Sequence, residues 1–589
     1  MQTALRITGR PGALVVLALL LLATPSLRAQ PVAIIEPDEL RRGMRGFGLT
    51  TFQGTEIDTF EVEILGVMKG ALGPRMDLVL VRLSGGPLEH TGLIRGMSGS
   101  PVYIDDRLVG AVSYGWTFSK DPIGAITPIS YMLDVARRES PAPQQEYWRP
   151  VELDAETTRL LGGRGASALE PLGTPVSIAG FSPAARRVLR EALEPLGMQV
   201  LDSPAGQALS DQQAPFAPGA SLGVQLIRGD RSATGIGTVT WVGDGRFVGF
   251  GHPMMLKGAT NMPATGAYIH QVIPNQVASF KLGTATQAIG AVQQDRLPGI
   301  AGALGAASDM LPVEVALRSP ATDARFHFEV LRDRDLSAPL ARSVLLTVLQ
   351  STEKLFGDAT LRLRTHIALK DGRALARQQI YSGRVAIMAA ALEALQPFNA
   401  LLRSPFSGLA VDSLRFDVEV GETLAQARIA ALRLSTPNPK AGQQLALQVK
   451  LQPYRAEPIT ERVELNLPSD LEPGPLVLRV GSGAMSEAWE AERRPDAFAP
   501  RDAEHLLELL GREGAADELV IELFRPGAGF TIDGRELPAL PPSAHAVLAA
   551  DRSAGRLGPV QGQVVLRQTI RTDYVLLGEQ SLEMTLRKP

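Results

Sequence analysis

The sequence predicts a mainly β, multi-domain chain with α insertions. Three observations predict it. The length of 589 residues exceeds what one hydrophobic core serves. Short stretches of alternating apolar and polar residues, the period of a half-buried strand, recur along most of the chain. The 58 glycines and 43 prolines supply the many turns that short strands need.

The first 29 residues read as a secretory signal peptide. Arg6 and Arg10 precede an apolar run of eleven residues from Ala13 to Ala23, followed by a small residue, Ala29, before Gln30. The run falls well short of the roughly 20 residues that span a bilayer, and no later segment qualifies as a transmembrane helix. The expected destination is the periplasm, cell envelope or exterior.

Residues 31–140 read as strands. Phe60-Glu61-Val62-Glu63-Ile64 alternates, Leu78 to Val81 is a short buried run, and Leu108 to Val112 follows a turn at Asp105-Asp106. Pro141 to Pro150 has the composition of a linker. Residues 151–214 read as a helical insertion, with Ser182-Pro183 as a helix start and Val188, Leu189, Ala192, Leu193 and Leu196 at helical spacing. Strands return over 220–320, with a hairpin signal at Asp244-Gly245. Residues 321–410 mix strands with two apolar helices. A β-sandwich-like module is expected over 411–500, where Leu445, Leu447, Val449 and Leu451 alternate, and an α+β module over 501–589.

Composition excludes several functions. A net charge of −3, with both signs dispersed and no basic block interleaved with aromatics, argues against a nucleic-acid partner. With no cysteine there is no disulfide, no thiol nucleophile and no thiolate metal site. The seven histidines show no metal-ligand spacing, so neither metal nor cofactor is expected.

The richest motif is Arg95-Gly96-Met97-Ser98-Gly99-Ser100-Pro101. Glycines on both sides let the backbone bend sharply and expose the Ser98 hydroxyl. The same bend can aim the Gly96 and Ser98 amides at one point as an oxyanion hole. Downstream, Ser113-Tyr114-Gly115 stands where peptidases with a chymotrypsin-like double barrel offer a strand edge to the substrate. A serine nucleophile needs a base. His252, in Gly249-Phe250-Gly251-His252-Pro253 at a strand end, is the best placed histidine; His90 lies in a polar turn and His270, His327 and His366 in ordinary strands. Each feature also has a structural reading, a tight turn between strands or a satisfied core histidine.

Two stretches resemble the SpoIVB serine peptidase domain. Phe60 to Ile64, Glu89 to Pro101 and Leu108 to Val112 look like its C-terminal half. Gly235 to Thr240, Gly249 to His252, Ser279-Phe280-Lys281, Ala288 to Gly290 and Leu311 to Ala316 look like its N-terminal half. The resemblance implies a chymotrypsin-like double β-barrel formed by residues 31–140 and 220–320, with C-terminal β-rich modules added. It implies Ser98 as nucleophile and His252 as base. The halves come in permuted order, serine first. The family's acid falls near Ser84-Gly85, where this chain has no carboxylate, which leaves Asp77, Asp295, Asp244 or a backbone carbonyl as the third member. The expected activity is limited, regulatory proteolysis of a protein or membrane-protein ectodomain, with self-cleavage a further expectation. The alternative is a catalytically degenerate member that binds a partner in the cell envelope.

Overall fold

Two closed rings of antiparallel strands, set side by side, form the first half of the molecule. The computed structural model describes residues 32–138, 169–203, 209, 213–351 and 358–587, apart from short omissions at 117–118, 120, 513, 533–534, 539 and within 542–556. The signal peptide expected over 1–29 and the linker expected from Pro141 to Pro150 lie outside the described residues. Strands account for 52% of the described residues and helices for 17%, a β-rich architecture. Among the described residues no helix is long and apolar enough to cross a membrane.

The first ring takes β1 (Arg45–Thr50), β2 (Asp58–Met68), β3 (Leu78–Ser84), β5 (Pro101–Ile104), β6 (Arg107–Gly115) and β7 (Ile123–Pro128). Its order is β5-β1-β2-β3-β7-β6, and the β5–β6 hairpin closes it. Alternation sets the two faces of β2: Phe60, Val62 and Ile64 are buried in the barrel while Glu61 faces solvent. The β5–β6 turn places both Asp105 and Asp106 at positive φ, the backbone a two-residue hairpin requires. A single turn of helix, α1 (Leu88–Thr91), and the two-residue strand β4 (Ile94–Arg95) lead into the serine motif, and α2 (Ile129–Ala136) follows β7.

The second ring takes β11 (Ser221–Gly229), β12 (Ser232–Gly243), β13 (Arg246–Gly249), β14 (Gly258–Ile273), β15 (Ser279–Arg296) and β16 (Gly299–Leu304). Its order is β12-β13-β16-β15-β14-β11, closed by the β11–β12 pairing. Asp244-Gly245 makes the β12–β13 hairpin at positive φ.

Two devices hold the barrels together at the seam. Gly54 exchanges backbone hydrogen bonds with Ile269 at 2.7 and 2.9 Å. The start of β15 pairs in parallel with β4, Ser279 opposite Ile94 and Phe280 opposite Arg95. The serine loop therefore grows directly out of a strand that belongs to the partner barrel's sheet.

The connection between the barrels is not only helical. It carries β8 (Glu170–Pro171) on the edge of β6, then β9 (Thr174–Ala179) on β12, then α3 (Pro183–Leu193), then β10 (Met198–Asp202) parallel to β9. Ser182 caps α3 by accepting from the Ala185 amide at 3.3 Å.

Beyond the barrels the second sheet continues. β17 (Met310–Arg318) and β18 (Asp323–Leu331) join it where Ile227 faces Val330. The strand Val411–Gly421, assigned by sequence to the module that follows, pairs with β17 and with Ala359–Leu369 and so completes this layer. An almost wholly buried helix, α4 (Ser337–Leu349), packs on it. The remaining residues form two sheets sharing one core, with Leu445, Leu447 and Val449 from one and Leu476, Leu478, Leu519 and Ile521 from the other. This sandwich draws on both 411–500 and 501–589, since Val575–Leu577 returns to pair with Gln426–Leu434.

Candidate active site

The serine loop is bent by two glycines, Gly96 at φ +93° and Gly99 at φ +98°. At Gly99 the requirement is absolute. A β-carbon there would stand 2.0 Å from the Thr238 carbonyl oxygen and 2.5 Å from the Phe250 nitrogen. The serine loop thus lies directly on the backbone that leads to His252.

Hydrogen bonds fix that contact. The Thr238 amide donates to the Ser98 carbonyl at 2.9 Å, and the Phe250 amide donates to the Thr238 carbonyl at 3.3 Å. Side chains of β12 secure the loop on either side of Ser98: Thr238 Oγ1 donates to the Gly96 carbonyl at 3.0 Å, and Thr240 Oγ1 to the Gly99 carbonyl at 2.7 Å. The amides of Met97, Gly99 and Ser100 donate to the carbonyls of Ile94, Val112 and Met97. Among the described residues the amides of Gly96 and Ser98, the expected oxyanion donors, meet no backbone carbonyl.

His252 is carried on an equally constrained turn, with Phe250 and Gly251 both at positive φ. A β-carbon at Gly251 would stand 2.9 Å from Ser113 Cβ and 3.0 Å from Ala111 Cβ. Thr127 Oγ1 donates to the Gly251 carbonyl at 2.6 Å and is hydrogen-bonded to Ser113 Oγ at 2.8 Å. The imidazole lies between the rings of Tyr114 and Phe250, at centroid distances of 6.4 and 5.9 Å.

The electrostatics of the imidazole follow from burial. His252 is 1% exposed, and desolvation pushes its pKa down from the ordinary 6.5 to about 4. Its Nδ1 is hydrogen-bonded to the Pro253 carbonyl at 2.8 Å. A carbonyl only accepts, so the proton sits on Nδ1 and Nε2 presents its lone pair, the tautomer a general base needs. Nε2 and the Ser98 hydroxyl are both buried without a hydrogen-bond partner, so in this state they are not bonded to each other.

No carboxylate among the described residues takes the third position on His252. Asp77 pairs with Lys69 at 2.9 Å and accepts from the Gly70 amide, which holds its carboxyl below the usual range. Asp244 occupies the β12–β13 turn. Asp295 comes nearer in role. Its buried carboxylate accepts from the amides of Met254 and Met255 at 2.8 Å and of Lys257 at 3.3 Å, so it fastens the turn that follows His252. Burial raises its pKa against the opposing pull of those amides.

One component was not assigned a role from sequence. Lys281 lies in β15, fully buried, with Nζ donating to Thr50 Oγ1 at 2.8 Å and reaching Thr238 Oγ1 at 3.4 Å. Thr50 also accepts from Ser100 Oγ at 3.0 Å. The lysine therefore links the hydroxyls that hold both flanks of the serine loop. Desolvation lowers its pKa to about 7. The signal in the sequence was a charge set directly between two apolar residues, Phe280 and Leu282, of a strand.

The glycine-framed serine and the histidine turn are thus pressed together at the seam of the two antiparallel barrels. A family model described as SpoIVB peptidase S55 matches residues 23–132, so this segment is similar to the SpoIVB-type serine peptidases. The matched segment contains Ser98 and ends before His252. No curated relative and no solved structure shows a match to the chain.

Proposed function

We propose that the protein is an exported serine endopeptidase that performs limited proteolysis with Ser98 as nucleophile and His252 as base. The observation that carries the reading is the packing of Gly99 against Thr238 and Phe250, which puts an alcohol and an imidazole from distant parts of the chain at one seam. Ser98 Oγ attacks the substrate carbonyl while His252 Nε2 accepts its proton. The amides of Gly96 and Ser98 hold the oxyanion, a contribution of about 3 kcal/mol per donor in comparable sites. The imidazolium then returns the proton to the leaving amine. The Pro253 carbonyl does the orienting that a carboxylate does elsewhere, without its charge. Stabilisation of the imidazolium is correspondingly weaker, and turnover is expected to be slow. Ser113, Tyr114 and Gly115 offer the substrate a strand edge, and the leader over residues 1–29 directs the chain out of the cytoplasm.

A fluorophosphonate probe tests the reading. Labelling is expected at Ser98, and is lost in Ser98→Ala and in His252→Ala. A chain that labels equally well after either substitution would sink it.

The second reading, a binding protein of the cell envelope on a peptidase fold, is favoured by one observation: Ser98 Oγ and His252 Nε2 are buried and unpaired. A chain that captures peptides yet never labels supports that reading.

A further inference from the structure

The strand edge reserved for substrate is already occupied. Tyr114 pairs with Pro171 and Gly115 with Glu170, antiparallel, and the Leu172 amide donates to the Ser113 carbonyl at 2.9 Å. These are the three residues expected to receive a substrate as an added strand.

The path of the segment continues in the direction a substrate would take. From Glu170 beside Gly115 it runs back along β6 to Leu172 beside Ser113, and then passes the serine loop. A β-carbon on Gly173 would lie 3.5 Å from Arg95 Nε, and one on Gly96 would lie 3.2 Å from Pro175 Cγ. Only after this does the chain enter β9 on the second barrel, with Val176 opposite Gly235.

Leu172 fills a defined place. It is 8% exposed and belongs to the core that includes Ile94, Met97 and Val112, with Leu93 packed against it. It fits because Gly115 has no side chain: a β-carbon there would meet Leu172 Cδ2 at 3.1 Å and Leu93 Cδ1 at 2.6 Å. Alongside, a groove of about 250 Å³ is lined by Glu170, Leu172, Trp116, His90, Asn275 and Val277. With the segment in place, Ser98 and His252 are 0% and 1% exposed.

We infer that residues 169–175 act as a built-in competitor that holds the substrate cleft closed, with Leu172 in the subsite for the residue preceding the scissile bond. The inference rests on the peptidase reading for the meaning of that subsite, and on the strand pairing for the occupancy. It names the substrate class: an extended polypeptide with a leucine-like residue before the cleaved bond, which must displace the chain's own Glu-Pro-Leu-Gly. It also accounts for a serine and a histidine that are built in but out of hydrogen-bonding register.

The test uses the full chain with Leu172→Asp, and Leu172→Ala in case the charged variant fails to fold. Fluorophosphonate labelling of Ser98 is expected to accelerate about tenfold or more, the factor set by losing the burial of one leucine side chain. Fluorescent acetyl-Glu-Pro-Leu-Gly-amide is expected to bind the variant, to bind wild type at least about tenfold more weakly, and to slow labelling of the variant. The same binding is measured with Ser98→Ala added, so that it does not depend on catalysis. If neither chain labels but the peptide binds the variant selectively, occupancy stands and the peptidase reading falls. A folded variant that labels and binds peptide no differently from wild type overturns the inference.

Discussion

His252 gives the sharpest quantitative test of a closed site. Its pKa of about 4 lies below the ordinary 6.5 because the charged ring has lost its water, and the bond to Pro253 recovers only part of that loss. The sign follows from proton counting. Between pH 6.5 and 4 the unfolded chain binds the proton and the folded chain does not, so stability rises with pH across this window. The contribution is complete above pH 6.5 and disappears as pH falls through 4. At about 1.4 kcal/mol per pH unit, His252 should cost the fold about 2.5 kcal/mol on going from pH 7.5 to 4.5. Urea unfolding of wild type and His252→Gln at both pH values measures this as a difference of differences, which cancels every other titrating group. Selective labelling of histidine for NMR gives the same pKa directly, with the signal assigned by its loss in His252→Gln. In Leu172→Asp, where the cleft opens, the pKa should climb back toward 6.5. A ring that titrates near 6.5 in the wild-type fold would refute the argument, since it would mean that water reaches the imidazole.

Further predictions concern the groups around the pair. Gly99→Ala must push apart the Thr238 carbonyl and the Phe250 amide, so we expect loss of labelling and destabilisation above about 3 kcal/mol, whereas Gly92→Ala, with φ +64° but open space around it, should cost only about 1 kcal/mol by chemical denaturation. Lys281 carries a pKa of about 7 against 10.5 when exposed, so above pH 7 the unfolded chain holds the extra proton and stability should rise by about 3 kcal/mol between pH 7 and 9.5. That slope should vanish in Lys281→Met, and denaturation at the two pH values reads it. Asp295→Asn removes the carboxylate that accepts three amides of the 254–257 turn, and should lower labelling while costing about 1–3 kcal/mol of stability.

Local chemistry was legible where it was self-contained. The alternation of Phe60 to Ile64, the turns at Asp105-Asp106 and Asp244-Gly245, and the glycine frame of Ser98 all depend on neighbours in sequence, and each lies where its pattern indicates. The connection was harder. Glu-Pro-Leu-Gly-Thr-Pro has prolines and a glycine where a strand reader expects β-branched residues, yet it forms β8 and the start of β9. β8 is an edge strand, and Pro175 has a register partner on one side only, Gln199 of β10, with β12 joining from Val176 onward, so proline's missing donor is tolerated in both. Lys281 defeats the pattern from the other side. A lysine in a strand is read as facing water, and only the three-dimensional convergence of Thr50 and Thr238 gives its ammonium partners inside. The partner of His252 Nδ1, the Pro253 carbonyl, was not legible because a backbone carbonyl leaves no mark in the sequence.

The order of the two barrels and the occupied cleft have a common physical origin. With the serine barrel first, the chain leaves it after α2 and enters the histidine barrel at β11, so one connection has to cross the seam. The seam is where β6 presents an edge whose backbone donors and acceptors need partners, and a connection passing there gains hydrogen bonds by pairing with it. An apolar residue at the right point, Leu172, then finds the space left by Gly115. When a competitor is tethered in this way, its effective concentration is set by the chain and does not fall on dilution. Inhibition should therefore be independent of protein concentration, and relief should require either a substrate that binds more strongly than Glu-Pro-Leu-Gly or a cut in the connection. Cleavage within residues 139–168 by an added protease is the decisive comparison. It should raise the Ser98 labelling rate in wild type while leaving Leu172→Asp unchanged.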